Sequence, residues 1–375
     1  MHVFLGEHNI ISPLGYTSED NFGAIAAGRT AISEYSGLLP SRPVFCAKIE
    51  EPGLSERFAL HGDPAAFTRL EQMCILSVKA LTEKTGLDLR NADTLLLLST
   101  TKGNIDLLGK SHSTLPERRV YLPEFAGAIG GFFGAAHHPL VISNACISGL
   151  LSLIIARRLI EHGLYRNIIV CGADLVSEFT LSGFGSFNAL SNTLCRPFDA
   201  GRTGINLGEA AASIVLSKDP VSGLVISSGA SANDANHISG PSRSGDGLYQ
   251  AIMNTLNKKG TIPSIDFICA HGTATEYNDE MEAIAFSRAG LGHLPLNSLK
   301  GYYGHTLGAA GVLESIICLQ SLSKNILLRS AGFKVPGTSV PLNIITRTAA
   351  GNLKTCLKTA SGFGGCNASA LFEKI

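Results

Sequence analysis

Four short segments of this sequence set reactive side chains among glycines and other small residues. The first is Ser143-Asn144-Ala145-Cys146-Ile147-Ser148-Gly149, which follows a short aliphatic run and opens a long apolar stretch closed by Gly163. A cysteine where a strand gives way to a helix feels the partial positive charge of the helix N-terminus. That field lowers a thiol pKa and supplies the thiolate that nucleophilic attack needs. By itself Cys146 fits equally well as a small buried hydrophobe, the usual state of a free cysteine. The second segment is His271-Gly272-Thr273-Ala274-Thr275, after the apolar run 265–270 and ahead of Asp279 and Glu282. A histidine at a strand end, followed by small and hydroxyl residues, suits a cavity wall or a satisfied structural histidine.

The third segment runs from Ser298 to Gly311 and holds Lys300 and His305, with Glu314 beyond it. Its small residues after His305 let a helix start pack close against another backbone. Lys300 and Glu314 lie fourteen positions apart, too far to be neighbours on one helix, so a loop must fold them together. Tight helix packing with an incidental histidine is the plain alternative. The fourth segment is Ser361-Gly362-Phe363-Gly364-Gly365-Cys366-Asn367. Consecutive glycines permit a nest of backbone N–H groups that holds an oxyanion, or simply a β-turn.

The elements that must position these segments alternate along the chain. Strand-like runs occur at 94–98, 140–142, 167–171 and 212–216, and helical stretches at 70–84 and 150–162. Such alternation predicts parallel sheets covered on both faces. A faint duplication is also visible. Residues 94–103 have the form of 265–275, and the path through Cys146 into an apolar helix has the form of the path through His305 into 307–322. The join falls at 218–223, where Asp219-Pro220 interrupts the chain. Two similar halves follow: 1–220 with Cys146, and 221–375 with both histidines and the glycine-rich loop.

Composition narrows the class. The 375 residues are 45% hydrophobic and 16% charged, which describes a compact α/β enzyme and not a disordered chain. Thirty basic and thirty acidic residues cancel, so the basic excess of a nucleic-acid binder is missing. An acidic protein partner is left with a local basic patch. Nine scattered cysteines without a C-x-x-C pair fit neither a disulfide framework nor a zinc site, and point to a reducing cytoplasm. The start Met1-His2-Val3-Phe4-Leu5-Gly6-Glu7 lacks a basic and a long apolar leader region. The strongest apolar run, 150–156, is too short to span a bilayer.

In this order the four segments resemble the elongating β-ketoacyl-acyl carrier protein synthases, the Cys-His-His type of the thiolase superfamily. Further matches are Ser12-Pro13-Leu14-Gly15, the stretch 183–191, Arg196-Pro197-Phe198-Asp199 with Arg202, and Gly208-Glu209, so the resemblance covers nearly the whole chain. It implies a thiolase-like α/β fold whose two halves form a five-layer α-β-α-β-α sandwich. It implies that Cys146 accepts an acyl chain as a thioester and that His271 and His305 grip the malonyl thioester oxygen. Lys300 would pair with Glu314 and orient the second histidine. Thr273 and Thr275 would touch the phosphopantetheine arm, and the backbone N–H groups of Cys146 and Phe363 would form the oxyanion hole.

The implied reaction needs no metal or organic cofactor. Decarboxylation of a malonyl thioester gives an enolate, which attacks the acyl-cysteine and releases a β-ketoacyl product, for fatty-acid or for polyene or polyketide building. The implied partners are an acyl carrier protein and a second copy of the chain, or an inactive homologue in a heterodimer. Arg196, and after it Arg69, are the candidate cations for the acidic carrier. The second histidine separates this pattern from the Cys-His-Asn synthases. It also argues against a Cys-His acyltransferase or hydrolase, and the intact triad argues against a non-catalytic partner subunit. The family usually has an aromatic at the position of Ser361, a Thr at Leu299, Phe-Val at Ile205-Asn206, and Gly at Ala210. These departures bear on the acyl group, and Ser361, beside Phe363, implies a looser gate.

Overall fold

The computed structural model describes residues 2–39, 43–51, 53–108, 114–237, 240–257 and 263–375. The chain opens with β1 (Phe4–Ile11), α1 (Ser18–Ala26), the small strands β2 (Ser33–Tyr35) and β3 (Val44–Ala47), α2 (Gly53–Ala59) and α3 (Arg69–Thr85). Next come β4 (Thr94–Ser99), α4 (Leu122–Phe133), β5 (Leu140–Ile142), α5 (Ser148–Glu161) and β6 (Asn167–Asp174). They are followed by α6 (Glu178–Ser186), β7 (Leu207–Gly208) and β8 (Ala210–Ser217). After the turn at 218–223 run β9 (Leu224–Asn233), α7 (Asp246–Leu256), β10 (Phe267–Cys269), α8 (Glu276–Arg288) and β11 (Leu296–Asn297). The chain closes with α9 (Lys300–Tyr303), α10 (Ala310–Lys324), β12 (Ile326–Leu327), β13 (Ala349–Ala350), β14 (Thr355–Gly362) and β15 (Cys366–Lys374).

Ten strands form one sheet in the order β11-β10-β14-β15-β9-β1-β8-β6-β4-β5. Outward from its centre the two sides repeat each other: β1-β8-β6-β4-β5 on one, β9-β15-β14-β10-β11 on the other. They join where Phe4 pairs with Val225. The expectation of parallel sheets holds only for the outer strands, where β4 pairs in parallel with β5 and β6, and β10 with β11 and β14. Towards the centre, β6–β8, β8–β1, β14–β15 and β15–β9 are antiparallel. For β14–β15 the reason is loop length. β14 turns into β15 through Phe363, Gly364 and Gly365, the two glycines at φ +82° and +76°, and so short a link allows only a hairpin.

Helices complete five layers, as the thiolase-like resemblance implies. α5 and α10 pack on each other and on strands of both sides of the sheet, α3 covers β1, β8 and β6, and α7 covers β9, β14 and β15 with α8 packed beside it. A helix between two sheets must be apolar all round, and every residue from Ala310 to Leu322 is buried. The central core joins Leu150, Leu153 and Ile154 of α5 to Val312, Leu313 and Ile316 of α10. Their N-terminal ends touch through glycine. An added Cβ on Gly149 would lie 2.8 Å from the Gly308 oxygen and the Val312 nitrogen, and one on Gly311 would overlap the Leu150 backbone. The small residues noted after His305 serve this contact. Among the described residues no helix is long and apolar enough to cross a membrane.

Candidate active site

Cys146 sits just before α5, in a turn that its neighbours force. Ala145 takes φ +43°, a conformation that costs a non-glycine residue about 1–3 kcal/mol and survives only where surroundings hold it. Ser148 does the holding: its hydroxyl donates to the Ala145 carbonyl at 2.6 Å and accepts the Asn144 N–H at 2.7 Å. His271 follows β10, and its loop is fixed by two buried carboxylates. Glu282 accepts the N–H groups of His271 at 2.8 Å and Gly272 at 2.5 Å, and Asp279 accepts those of Thr273 at 2.9 Å and Phe198 at 2.7 Å. Glu282 and Asp279 were thus noted in the sequence without a role, and their role is to cap this loop. His305 lies between α9 and α10, its N–H donating to Asn206 at 2.7 Å.

These elements bring Cys146 Sγ and one ring nitrogen from each of His271 and His305 within 4.8 Å of one another. The two rings stand edge to face, 5.0 Å between centroids and 84° apart. Nδ1 of His305 accepts the Leu307 N–H at 3.2 Å, so the ring proton belongs on Nε2. That Nε2 and the Nδ1 of His271 are buried without a partner among the described residues. Unpartnered buried nitrogens are costly, and they mark a site that waits for a ligand atom. Burial first, then Lys300 and His305, hold His271 well below its ordinary pKa; burial, Lys300 and Lys102 do the same for His305. Both rings are therefore neutral donors. The lysines also oppose a bound divalent cation here.

The nucleophile departs from expectation. The helix end was expected to lower the Cys146 thiol, but burial pushes it up to about 11. Lys102, Lys300 and the nearby Phe363 backbone draw it back, and Asp174 opposes them. Desolvation outweighs the helix field because Cys146 is only 7% exposed. Cys46, Cys195 and Cys366 are pushed further, to about 12. All nine cysteines are buried and unbridged.

Lys300 and Glu314 do meet, 2.8 Å apart and both buried. Lys300 does not reach the second histidine, however. Its ammonium donates to the His271 carbonyl at 2.6 Å, and His305 is oriented by the Leu307 N–H instead. Sequence reasoning missed a second cation on the same carboxylate, Lys358 of β14, 2.7 Å from Glu314. Burial would raise the Glu314 carboxyl, but Lys300 and Lys358 outweigh it and hold it below the usual value. Asp174 was missed too. It accepts the Thr100 hydroxyl at 2.9 Å, the Thr101 N–H at 2.9 Å and the Gly308 N–H at 2.7 Å, and so ties the end of β6 to the start of α10.

A cavity of about 490 Å³ opens on this cluster and is lined by Cys146, His271, His305, Thr273, Thr275, Ser361 and Phe363, among others. Thr273 and Thr275 share a hydrogen bond of 2.8 Å. Phe363 is 38% exposed and packs between Phe184 and Phe187, each 5.5 Å from it by ring centroid. Ser361 points its hydroxyl at the Asn367 side-chain oxygen, 2.7 Å away. Arg69, the second candidate for the carrier, has its guanidinium held by Glu51 and buried Glu209 and also donates to the Ile49 carbonyl at 2.7 Å. Arg196 is half-buried beside Gly201 and Asp199 and off the cavity lining, whereas Arg202 lines it.

Comparison with known proteins bears on this site. The profile of the β-ketoacyl synthase N-terminal domain matches residues 69–221, and that of the C-terminal domain matches 223–334. The chain is 27% identical to 3-oxoacyl-[acyl-carrier-protein] synthase 2 of Vibrio harveyi, over 98% of this chain and 97% of that one. It is 30% identical to a putative polyketide beta-ketoacyl synthase 1 of Streptomyces cyaneus, over 68% of this chain and 65% of that one. The ketosynthase ApeO of Xenorhabdus doucetiae, solved in complex with its chain length factor ApeC, superposes with a TM-score of 0.89 at 25% identity. That match covers 100% of this chain and 98% of the other.

Proposed function

The chain belongs to the β-ketoacyl synthase family, and from that membership we propose that it lengthens acyl chains by decarboxylative Claisen condensation. The observation that carries the reading is the convergence of the Cys146 sulfur with two neutral imidazoles at the end of one cavity. In the first step the Cys146 thiolate attacks an acyl carrier thioester, the carrier thiol leaves, and a new thioester forms on Sγ. In the second, a malonyl thioester enters with its carbonyl oxygen against His271 and His305. Their N–H groups stabilise the enolate that forms as carbon dioxide departs. The enolate carbon then attacks the acyl-cysteine carbonyl, the backbone N–H groups of Cys146 and Phe363 stabilise the oxyanion, and Sγ leaves with the β-ketoacyl product released. Thr273 and Thr275 hold the pantetheine arm.

Each step is served by protein groups, so no metal or organic cofactor is required. The partners in this reading are an acyl carrier protein and either a second copy of the chain or a homologous subunit, the arrangement named for ApeO with ApeC. The chain works in the cytoplasm as two thiolase-like halves, 1–220 and 221–375, in fatty-acid or in polyene or polyketide assembly. The test is mass spectrometry of the intact protein mixed with acyl carrier thioesters. A mass increase equal to the acyl group, absent in Cys146→Ala, is expected. No acylation by any chain, or acylation that survives Cys146→Ala, overturns the reading.

A further inference from the structure

Lys358 lies on β14, fully buried, with its ammonium surrounded by oxygens. It is 2.7 Å from Glu314, and it donates to the carbonyls of Thr359 at 2.6 Å, Cys269 at 3.3 Å and Ala270 at 3.5 Å. Cys269 and Ala270 are the two residues before His271, whose own carbonyl accepts from Lys300 at 2.6 Å. Two ammonium groups therefore grip three successive carbonyls at the strand end that presents the histidine. They share one carboxylate between them. A single lysine would satisfy Glu314 as an ion pair, so the second cation is an added burden on the interior. A buried charge kept at that cost calls for a use other than stability.

We propose that Lys358 is a positioning residue for the two-histidine site: its ammonium holds the Cys269 and Ala270 carbonyls, locks the strand end before His271 and adds a fixed positive charge to the surroundings of both imidazoles. His271 is faced by Lys300, His305, Lys358, Cys146 and the Glu282 carboxylate on its own N–H. His305 is faced by Lys300, Lys102, Lys358, His271 and Cys146. Glu314 lies between Lys300 and Lys358, and Lys358 is the smallest of the influences that lower both rings. A cation this close in a desolvated interior disfavours a second positive charge on imidazole.

The assignment of what the rings do rests on the proposed reaction, but their protonation does not, so the test reads both. Histidine-labelled protein is followed by two-dimensional NMR from pH 8 to pH 5, with His271 and His305 signals identified by single replacement. In the wild type neither ring is expected to titrate above pH 6. In Lys358→Met, which leaves Lys300 and Glu314 as a balanced pair, the rings should titrate at higher pH than in the wild type. Lys358→Gln keeps an N–H donor without the charge and should show the same shift, and Lys358→Arg should restore wild-type behaviour. Carbon dioxide release from a malonyl thioester, measured in parallel, should acquire a matching acid limb in the Met and Gln variants. Unchanged ring titration in both variants overturns the proposal. A ring shift in a protein that releases no carbon dioxide even as wild type leaves the role of Lys358 standing and removes the reaction assigned to the site.

Discussion

Gly311 and Leu150 meet so closely that a methyl group on the glycine would overlap the leucine backbone. The contact lies where α5 and α10 begin, Leu150 four residues after Cys146 and Gly311 six residues after His305. Gly311→Ala is therefore expected to part the two helix starts and lower condensation about a hundredfold, the scale of a 1 Å misplacement. Acylation of Cys146 alone should fall much less. Equal loss in both half-reactions would show that the contact serves folding and not the spacing of the site.

Cys146 is expected to be the most reactive of the nine thiols, since among the described residues it is the cysteine that lines the cavity. Its thiol is pushed up to about 11, so at lower pH the thiolate is scarce and its fraction rises with pH. Alkylation should accelerate about tenfold per pH unit between pH 7 and 9. Lys102→Met, which removes a cation that draws this thiol down, should slow it. Peptide mapping after brief alkylation checks the site, and labelling chiefly at another cysteine removes Cys146 as nucleophile.

Cys146→Gln should lose condensation and keep decarboxylation, because both donor rings remain. His271→Ala and His305→Ala should each reduce decarboxylation by about 10²–10³-fold, the usual effect of removing one preorganised donor. Carbon dioxide release from a malonyl thioester is the measurement. A histidine variant that releases it at the wild-type rate contradicts the two-donor mechanism.

The Lys300–Glu314–Lys358 cluster gives an order of stabilities. Glu314→Leu leaves two buried ammonium groups without their carboxylate and should cost about 3–5 kcal/mol, the usual range for breaking a buried pair. Lys300→Met leaves Glu314 paired with Lys358 at 2.7 Å and should cost less than half as much. Urea unfolding of both variants measures the difference. Equal losses would mean that Lys358 does not support Glu314.

Ser361→Phe should narrow the cavity and exclude long or unsaturated acyl groups before short ones. The serine hydroxyl is bonded to Asn367 at 2.7 Å, and Phe187 packs edge-on against Phe363. The space beside Ser361 is thus polar, and an aromatic ring would fill it with 150–250 Å² of apolar surface. Parallel assays with short and long carrier thioesters test this. A uniform loss across chain lengths would assign the serine to holding the loop.

The triad was legible because strand, glycine-rich loop and helix follow one another locally around Cys146, His271 and His305. Lys300 and Glu314 were legible through the motif they resemble. Lys358 was not, since a lysine between Leu357 and Thr359 gives no sign that its strand is buried on both faces. Only folding brings α10 and Glu314 to it. The ion pair of Arg69 with Glu209 was hidden for the same reason, since the two lie 140 positions apart. The sheet direction failed because alternation of strand and helix suggests crossovers, whereas the short Phe363–Gly365 link makes a hairpin.

Glu314 offers one negative charge to two lysines. In the proposed reaction the substrate brings its own negative charge on the malonyl carboxylate, and that charge moves to the enolate oxygen as neutral carbon dioxide leaves. The pocket therefore has to receive a charge in a new place and not to create one, and donors fixed beforehand lower the cost of that move. Lys300 and Lys358, held by Glu314 before any substrate enters, are part of that fixed frame.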